Sequence, residues 1–247
     1  MKSRVRIDCL LVEQGLVDSR QKAQAMIMAG QVIVDNQKVI KAGQLFAPGV
    51  IPQLIGERPR YVSRGGLKLV AALQEFSIDV DGQVCLDVGA STGGFTDCLL
   101  QAGAKKVYAV DVGTNQLDWR LRINKRVVVL EKVNARHLDS TDIPELVDFV
   151  CCDVSFISVT LILPALGKLI NSDSKLVILA KPQFEVGRES VGKGGIVDDP
   201  VLHRQVVAKI RIAMENAGFR FVSEVESPIR GAEGNREFLL YGYKEAS

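Results

Sequence analysis

Histidine is scarce in this chain, with His137 and His203 the only two in 247 residues, and tryptophan occurs once, at Trp119. The five cysteines, Cys9, Cys85, Cys98, Cys151 and Cys152, form an odd set without a C-x-x-C pair. A zinc site therefore lacks ligands at workable spacing, and no metal is expected. All but Cys9 lie in or beside apolar segments, which points to reduced, buried thiols and not to a disulfide framework. The uncharged run Val154–Gly167 covers 14 residues and contains Pro164, short of the ~20 needed to cross a bilayer. The opening Met1–Arg6 has no apolar h-region of a signal peptide, so a cytoplasmic location is expected. An overall net charge of +2 hides an asymmetry: residues 1–64 carry ten Lys/Arg against five Asp/Glu, and the remainder 21 against 24. That basic excess in the first quarter is an electrostatic footprint for a polyanion.

What is present centres on the stretch Val84–Phe95. A short apolar run reaches Asp87, turns through Gly89-Ala90-Ser91-Thr92-Gly93-Gly94, and continues from Phe95 with helical spacing. Strand, tight loop and helix in this order build a cofactor crevice at the carboxyl edge of a parallel sheet. A dinucleotide loop reads G-x-G-x-x-G, but Ser91 stands where its middle glycine makes room for a pyrophosphate. S-adenosylmethionine carries no phosphate and fits better. Asp87 is placed to meet its amino group, and Gly89, Ala90, Ser91, Gly93, Gly94 and Phe95 form the loop around it. A second strand, Lys106–Val110, ends at Asp111, an acid suited to the ribose hydroxyls. Beyond a third strand, Val127–Leu130, the loop at Asn134 and Ala135 is expected near the adenine edge.

The fourth strand, Val147–Cys152, also ends in an aspartate, Asp153, and a fifth, Lys175–Ala180, delivers Lys181 to the same edge. A helix interrupted by Pro164 is expected between them. Residues 182–200 contain G-x-x-x-x-G-K-G from Gly187 to Gly194, one hydroxyl short of a P-loop, and read as a mobile flap. A helix from Pro200 to about Gly218 and a hairpin of Phe219–Glu226 with Glu237–Tyr243 complete the pattern. Alternating strands and helices predict an α/β fold with a doubly wound, mostly parallel sheet, Rossmann-like, preceded by a small α+β domain.

That small domain spans residues 1–58, with two short helices between residues 5 and 30, the second capped by Ser19, and strands Gln31–Val34 and Gln37–Ile40 around Asp35-Asn36. The segments Ser19–Ala23 and Ala29–Asp35 resemble the RNA-binding module of S-four type ribosomal proteins. The resemblance implies RNA contacts from Arg4, Arg6, Arg20, Lys22 and Lys38. Residues 59–66, with Pro59, paired glycines and the cations Arg60 and Arg64, which are also expected to contact RNA, read as a linker. The helix from Leu67 then opens a domain of residues 67–247. Trp119–Arg126, four cations beside the single tryptophan, reads either as a second phosphate-contacting patch or as a surface helix with its indole tucked inside.

Taken together, Tyr61–Lys68, Asp87–Asp97, Asp153–Ser158, Lys181–Glu185 and Gly234–Glu237 make the chain resemble the TlyA, or hemolysin A, family. The resemblance implies an S-four type RNA-binding domain joined to an FtsJ-like ribosomal RNA 2′-O-methyltransferase domain. It further implies that Lys68, Asp153, Lys181 and Glu237 form a catalytic tetrad, and that the partner is ribosomal RNA or a ribosomal subunit. Methyl transfer from a sulfonium is an in-line displacement in which a ribose hydroxyl must be held against the methyl carbon and lose its proton. Lys181 is the candidate base, Lys68 its neighbouring cation, and Asp153 and Glu237 orient the amines. Asp153-Val154-Ser155-Phe156 departs from the proline turn of base-nitrogen transferases, and Cys151 and Cys152, in an apolar strand, are poor nucleophiles. A non-catalytic RNA-binding factor is the alternative if the site has decayed. A cytolysin, suggested by the family's older name, would need a long apolar or amphipathic insertion element that the sequence does not show.

Overall fold

The computed structural model describes residues 4–55, 59–231 and 233–245. The chain divides into two compact units, Met1–Arg58 and Pro59–Ser247. Each has its own core, as separate clusters of buried apolar residues show.

The first unit runs β1 (Val5–Arg6), α1 (Ile7–Glu13), α2 (Arg20–Met28), β2 (Val32–Val34), β3 (Gln37–Lys38), β4 (Leu45–Phe46) and β5 (Gln53–Leu54). Ser19 caps α2 by accepting the Lys22 N–H. Asp35 and Asn36 both adopt positive φ, the conformation that closes a two-residue hairpin between β2 and β3. Beyond the expected pair, β5 adds to β2 and β1 pairs with β4. These strands are two residues long, too short for an alternation that sequence could show. Ile7, Leu11, Ile27 and Val32 fill the centre.

In the second unit the elements are α3 (Gly65–Glu75), β6 (Val84–Val88), α4 (Gly94–Gln101), β7 (Lys106–Asp111), α5 (Trp119–Arg122), β8 (Val127–Glu131), β9 (Val147–Cys152), α6 (Leu163–Leu166), β10 (Ile170–Ala180), α7 (Pro182–Glu185), α8 (Pro200–Asn216), β11 (Phe219–Glu226) and β12 (Phe238–Lys244). The seven strands lie in the order β11-β12-β10-β9-β6-β7-β8, parallel except for β12, which is antiparallel to both neighbours. The doubly wound fold is thus present. The chain enters at β6, builds β7 and β8 to one side, then crosses to β9 and β10 on the other. Such a switch point opens a crevice beyond the strand ends, here between β6 and β9.

Period-two alternation assigns each strand residue to one face. Leu86, Val88, Val150, Cys152 and Ile178 pack on the face covered by α6 and α8, while Cys85, Phe149, Cys151 and Val177 pack on the face covered by α3 and α4. Two expectations need correction, and one alternative left open is narrowed. Residues 59–66 do not form a free linker: Tyr61 is buried, the Val62 N–H donates to Asp97, and Gly65 and Gly66 begin α3. Gly66 is required there because a Cβ would lie 2.3 Å from the Tyr61 ring. The helix expected around Pro164 is reduced to the single turn of α6 after a 3₁₀ turn at Val159–Leu161. The Trp119 indole is not tucked inside but 68% exposed, and Leu121 takes the buried position of α5.

Candidate active site

The loop after β6 owes its glycines to backbone packing more than to room for a ligand. Gly89 sits at φ +86, where an L side chain is strained, and a Cβ on it would fall 2.3 Å from the Asp153 carbonyl oxygen. The loops after β6 and β9 can touch only because that position is bare. Gly93, at φ +96, clears Leu121, and Gly94 clears Ser63 and the start of α3. The Gly89 and Ala90 N–H groups donate to the Val110 carbonyl. The Ser91 N–H donates to Asp111 Oδ2 at 2.7 Å, and the Gly113 N–H to Asp111 Oδ1 at 2.7 Å. Asp111 thereby fixes the loops after β6 and β7, while each carboxylate oxygen keeps acceptor capacity for a hydroxyl.

Asp87 is not where the sequence placed it. β6 extends to Val88, so Asp87 lies one residue inside the strand end, and alternation turns its side chain under α4. It is completely buried, accepts the Thr96 hydroxyl at 2.6 Å, and lines neither cavity of the crevice. Burial pushes its carboxyl up to about 7, with the Thr96 hydrogen bond opposing. Gly93 likewise lines neither cavity. These two residues support the loop from behind.

Two cavities meet at the switch point and share Gly89, Ser91, Asp153, Ser155 and Phe156. One, of about 510 Å³, is walled by Val88, Val110, Val133 and Ala135, with Asp111 and Asn134 at its edge. Its described lining contains two aspartates and neither lysine nor arginine. Apolar walls suit a flat heterocycle, the strand-end acid suits ribose hydroxyls, and the absence of cations suits a phosphate-free, positively charged ligand. These residues fit S-adenosylmethionine and are poorly matched to a pyrophosphate. Ala90, Gly94 and Phe95 line the neighbouring cavity, of about 560 Å³.

That second cavity gathers Lys68, Asp153, Lys181 and Glu237 from α3, the ends of β9 and β10, and the residue before β12. They form two ion pairs, Lys68 Nζ to Glu237 Oε2 at 2.5 Å and Lys181 Nζ to Asp153 Oδ1 at 2.5 Å. Lys181 also donates to Ser155 Oγ at 2.9 Å. Ser63 and Arg64, from the segment read as a linker, form part of the same wall. So does Phe156, which the sequence marked only as part of the segment Asp153–Ser158 and gave no role. It is 91% exposed, at φ +65, with its ring 5.0 Å from that of Phe184. Asn235 fastens the glycine-rich segment from the other side: its side chain accepts the Val197 N–H and donates to the Gly195 carbonyl. Buried Glu185 ties the post-β9 loop to α8, accepting from Ser158, the Val159 N–H and Lys209.

Cys151 and Cys152 pack in the cores on opposite faces of the sheet, and burial pushes both thiols up, away from the thiolate a base-carbon transferase would need. In the first unit Arg4, Lys22 and Lys38 are exposed or half-exposed, Lys22 paired with Asp18, while Arg6 and Arg20 converge on Asp8. Arg60 lies apart from Arg64, in a separate cavity with Arg120 and Arg126. Among the described residues no helix is long and apolar enough to cross a membrane.

A doubly wound sheet with a phosphate-free nucleoside crevice opening onto a lysine and carboxylate cluster defines an S-adenosylmethionine-dependent methyltransferase. The sequence matches the FtsJ-like methyltransferase model over residues 61–244 and the S4 domain model over residues 5–51, and the chain belongs to that methyltransferase family. It is 45% identical over 242 residues to the 16S/23S rRNA (cytidine-2′-O)-methyltransferase TlyA of Mycobacterium tuberculosis, covering 98% of this chain and 90% of that protein. It is 43% identical to Hemolysin A of Brachyspira hyodysenteriae, covering 96% of this chain and 99% of the relative. A solved structure of a presumed hemolysin of Streptococcus thermophilus superposes with a TM-score of 0.77 at 44% identity, covering 100% of this chain and 90% of the other.

Proposed function

We propose that the chain methylates the 2′-hydroxyl of a cytidine ribose in ribosomal RNA, in the cytoplasm, with residues 1–58 holding the RNA and the second unit performing the transfer. The observation that carries this reading is the placement of Lys68, Asp153, Lys181 and Glu237 on one cavity that shares a wall with the nucleoside crevice. The similarity to a cytidine-2′-O-methyltransferase supports the choice of acceptor.

S-adenosylmethionine supplies the electrophilic methyl group. Asp111, Asn134, Ala135 and the Gly89–Ser91 loop would hold it, with Val88, Val110 and Val133 against its base. On the other side of Gly89 and Asp153, Lys181 stands where a hydroxyl entering the tetrad cavity would present its proton, which the amine takes in its neutral form, after its own extra proton has left to solvent. Asp153 and Ser155 hold its Nζ in place, so little rotamer freedom remains to be lost when substrate arrives. Lys68, clamped by Glu237, keeps a fixed positive charge on the same wall, where charge builds on the ribose oxygen as the proton leaves. Arg64 and Arg230 line the same cavity and offer cations to the flanking phosphates.

The test combines mapping with a single variant. Ribosomal RNA from cells with and without the gene, digested and analysed by mass spectrometry, should differ by 2′-O-methylcytidine at a defined position. Lys181→Arg keeps the charge but cannot accept the proton, and single-turnover methylation should fall by about 10²–10⁴, the usual contribution of a general base. Methylation by this variant at close to the wild-type rate would remove Lys181 from the role of base.

A further inference from the structure

Gln183 lies in α7, two residues after Lys181, and lines the tetrad cavity without serving either ion pair. Its carboxamide oxygen is shut off from solvent and, among the described residues, finds no hydrogen-bond donor. Other polar side chains of the cavity are committed: Glu237 accepts from Lys68, Asp153 pairs with Lys181, and Asn235 holds the Val197 N–H and the Gly195 carbonyl. An acceptor taken out of water without a donor carries its desolvation cost uncompensated, and such groups are rare in folded chains. The last torsion of a glutamine is broad, so a turn about it brings this oxygen onto the cavity wall that the residue forms. Gln183 is thus an unmet acceptor two residues from the base.

We propose that Gln183 is a specificity-determining residue that accepts a hydrogen bond from the exocyclic amino group of the target cytosine. Chemistry narrows the donor. Within an RNA strand the 3′- and 5′-oxygens of the reacting ribose are esterified and can only accept, and the 2′-hydroxyl gives its proton to Lys181. What remains to donate is an N–H of the base attached to that ribose. The reach agrees: two residues of chain span at most about 7 Å, comparable with the separation of a ribose 2′-oxygen from the far edge of its own pyrimidine. A carboxamide also matches cytosine as a pair, its oxygen accepting from the N4 amino group and its nitrogen donating to N3. This inference rests on the reading of the second unit as a cytidine 2′-O-methyltransferase and assigns how the base is chosen.

The test uses the full chain and ribosomal RNA transcripts that carry, at the position mapped by mass spectrometry, cytidine, uridine or 2-pyrimidinone ribonucleoside, which is cytidine without its amino group. Wild-type single-turnover methylation should be about tenfold slower on the pyrimidinone RNA, the worth of one hydrogen bond to a buried group. Uridine, which sets a carbonyl against the Gln183 oxygen, should be slower by at least as much. Gln183→Met keeps the length of the side chain and removes both polar ends. It should slow methylation of the cytidine RNA about tenfold and bring the cytidine-to-pyrimidinone ratio close to one, with S-adenosylmethionine affinity unchanged in calorimetry. The ratio is the telling readout, because a merely structural role would slow both RNAs alike. Wild-type methylation of pyrimidinone or uridine RNA as fast as of cytidine RNA overturns the proposal, whether or not the methionine variant folds. So does a folded methionine variant that keeps the wild-type ratio. In either case the cytidine RNA is still methylated and the ribose-methylation reading stands. Absence of methylation of the cytidine RNA by wild type refutes that reading, and this inference with it.

Discussion

Replacing Lys68 with methionine would strand Glu237 in a place built for an ion pair. The two charged groups are 2.5 Å apart, with side chains only 11% and 3% exposed. At that separation their attraction is roughly 7 kcal/mol at an effective dielectric of about 20, most of which offsets the cost of taking two charges out of water. Removing one partner leaves the other uncompensated, and the expected loss of stability is about 3–5 kcal/mol. That is two to four decades in the folding equilibrium of the second unit. The pair is not needed for stability as such, so Lys68→Met/Glu237→Leu should return to within about 1–2 kcal/mol of wild type while remaining inactive. Because the chain has two units, a single global transition is not assured. Trp119, the only tryptophan, lies in the second unit, and its fluorescence in a urea titration reports that unit alone. A single variant that loses less than about 1 kcal/mol, or a double variant as unstable as the single one, would refute the account of this pair as mutually dependent buried charges.

Asp87 makes stability depend on pH in a direction opposite to most carboxylates. Its folded carboxyl is raised to about 7 from an ordinary 3.8, so between those values the folded chain binds a proton that the unfolded chain has released. The corresponding stability is fully present below the unfolded value and is lost as pH rises through about 7. Asp87→Asn should flatten the decline in urea midpoint between pH 4 and 8, and parallel profiles for the two proteins would sink the assignment. Gly89→Ala should abolish S-adenosylmethionine binding in calorimetry and lower the thermal midpoint, since the new Cβ meets the Asp153 carbonyl oxygen at 2.3 Å. Retention of wild-type cofactor affinity would show that the loops after β6 and β9 need not touch.

Much of the architecture was legible because its signals are local. A five-residue apolar strand followed by glycines, and acids or a lysine at the ends of three more strands, place Asp111, Asp153 and Lys181 at one sheet edge through period two and strand direction alone. The Ser19 cap and the Asp35-Asn36 turn are equally local. Other features exist only because distant segments meet. Lys68 and Glu237, 169 residues apart, could be joined from sequence only through a family resemblance, and their pairing depends on α3 packing beside the edge where β12 begins. The direction of Asp87 turned on a single residue of strand length, which alternation converts from the crevice to the core. Arg60–Gly66 has the composition of a linker but becomes a cavity wall, because Asp97 takes the Val62 N–H and Gly66 fits against the Tyr61 ring. Composition describes what a segment can do when left alone in water; whether it is left alone is decided by what the rest of the chain packs against it.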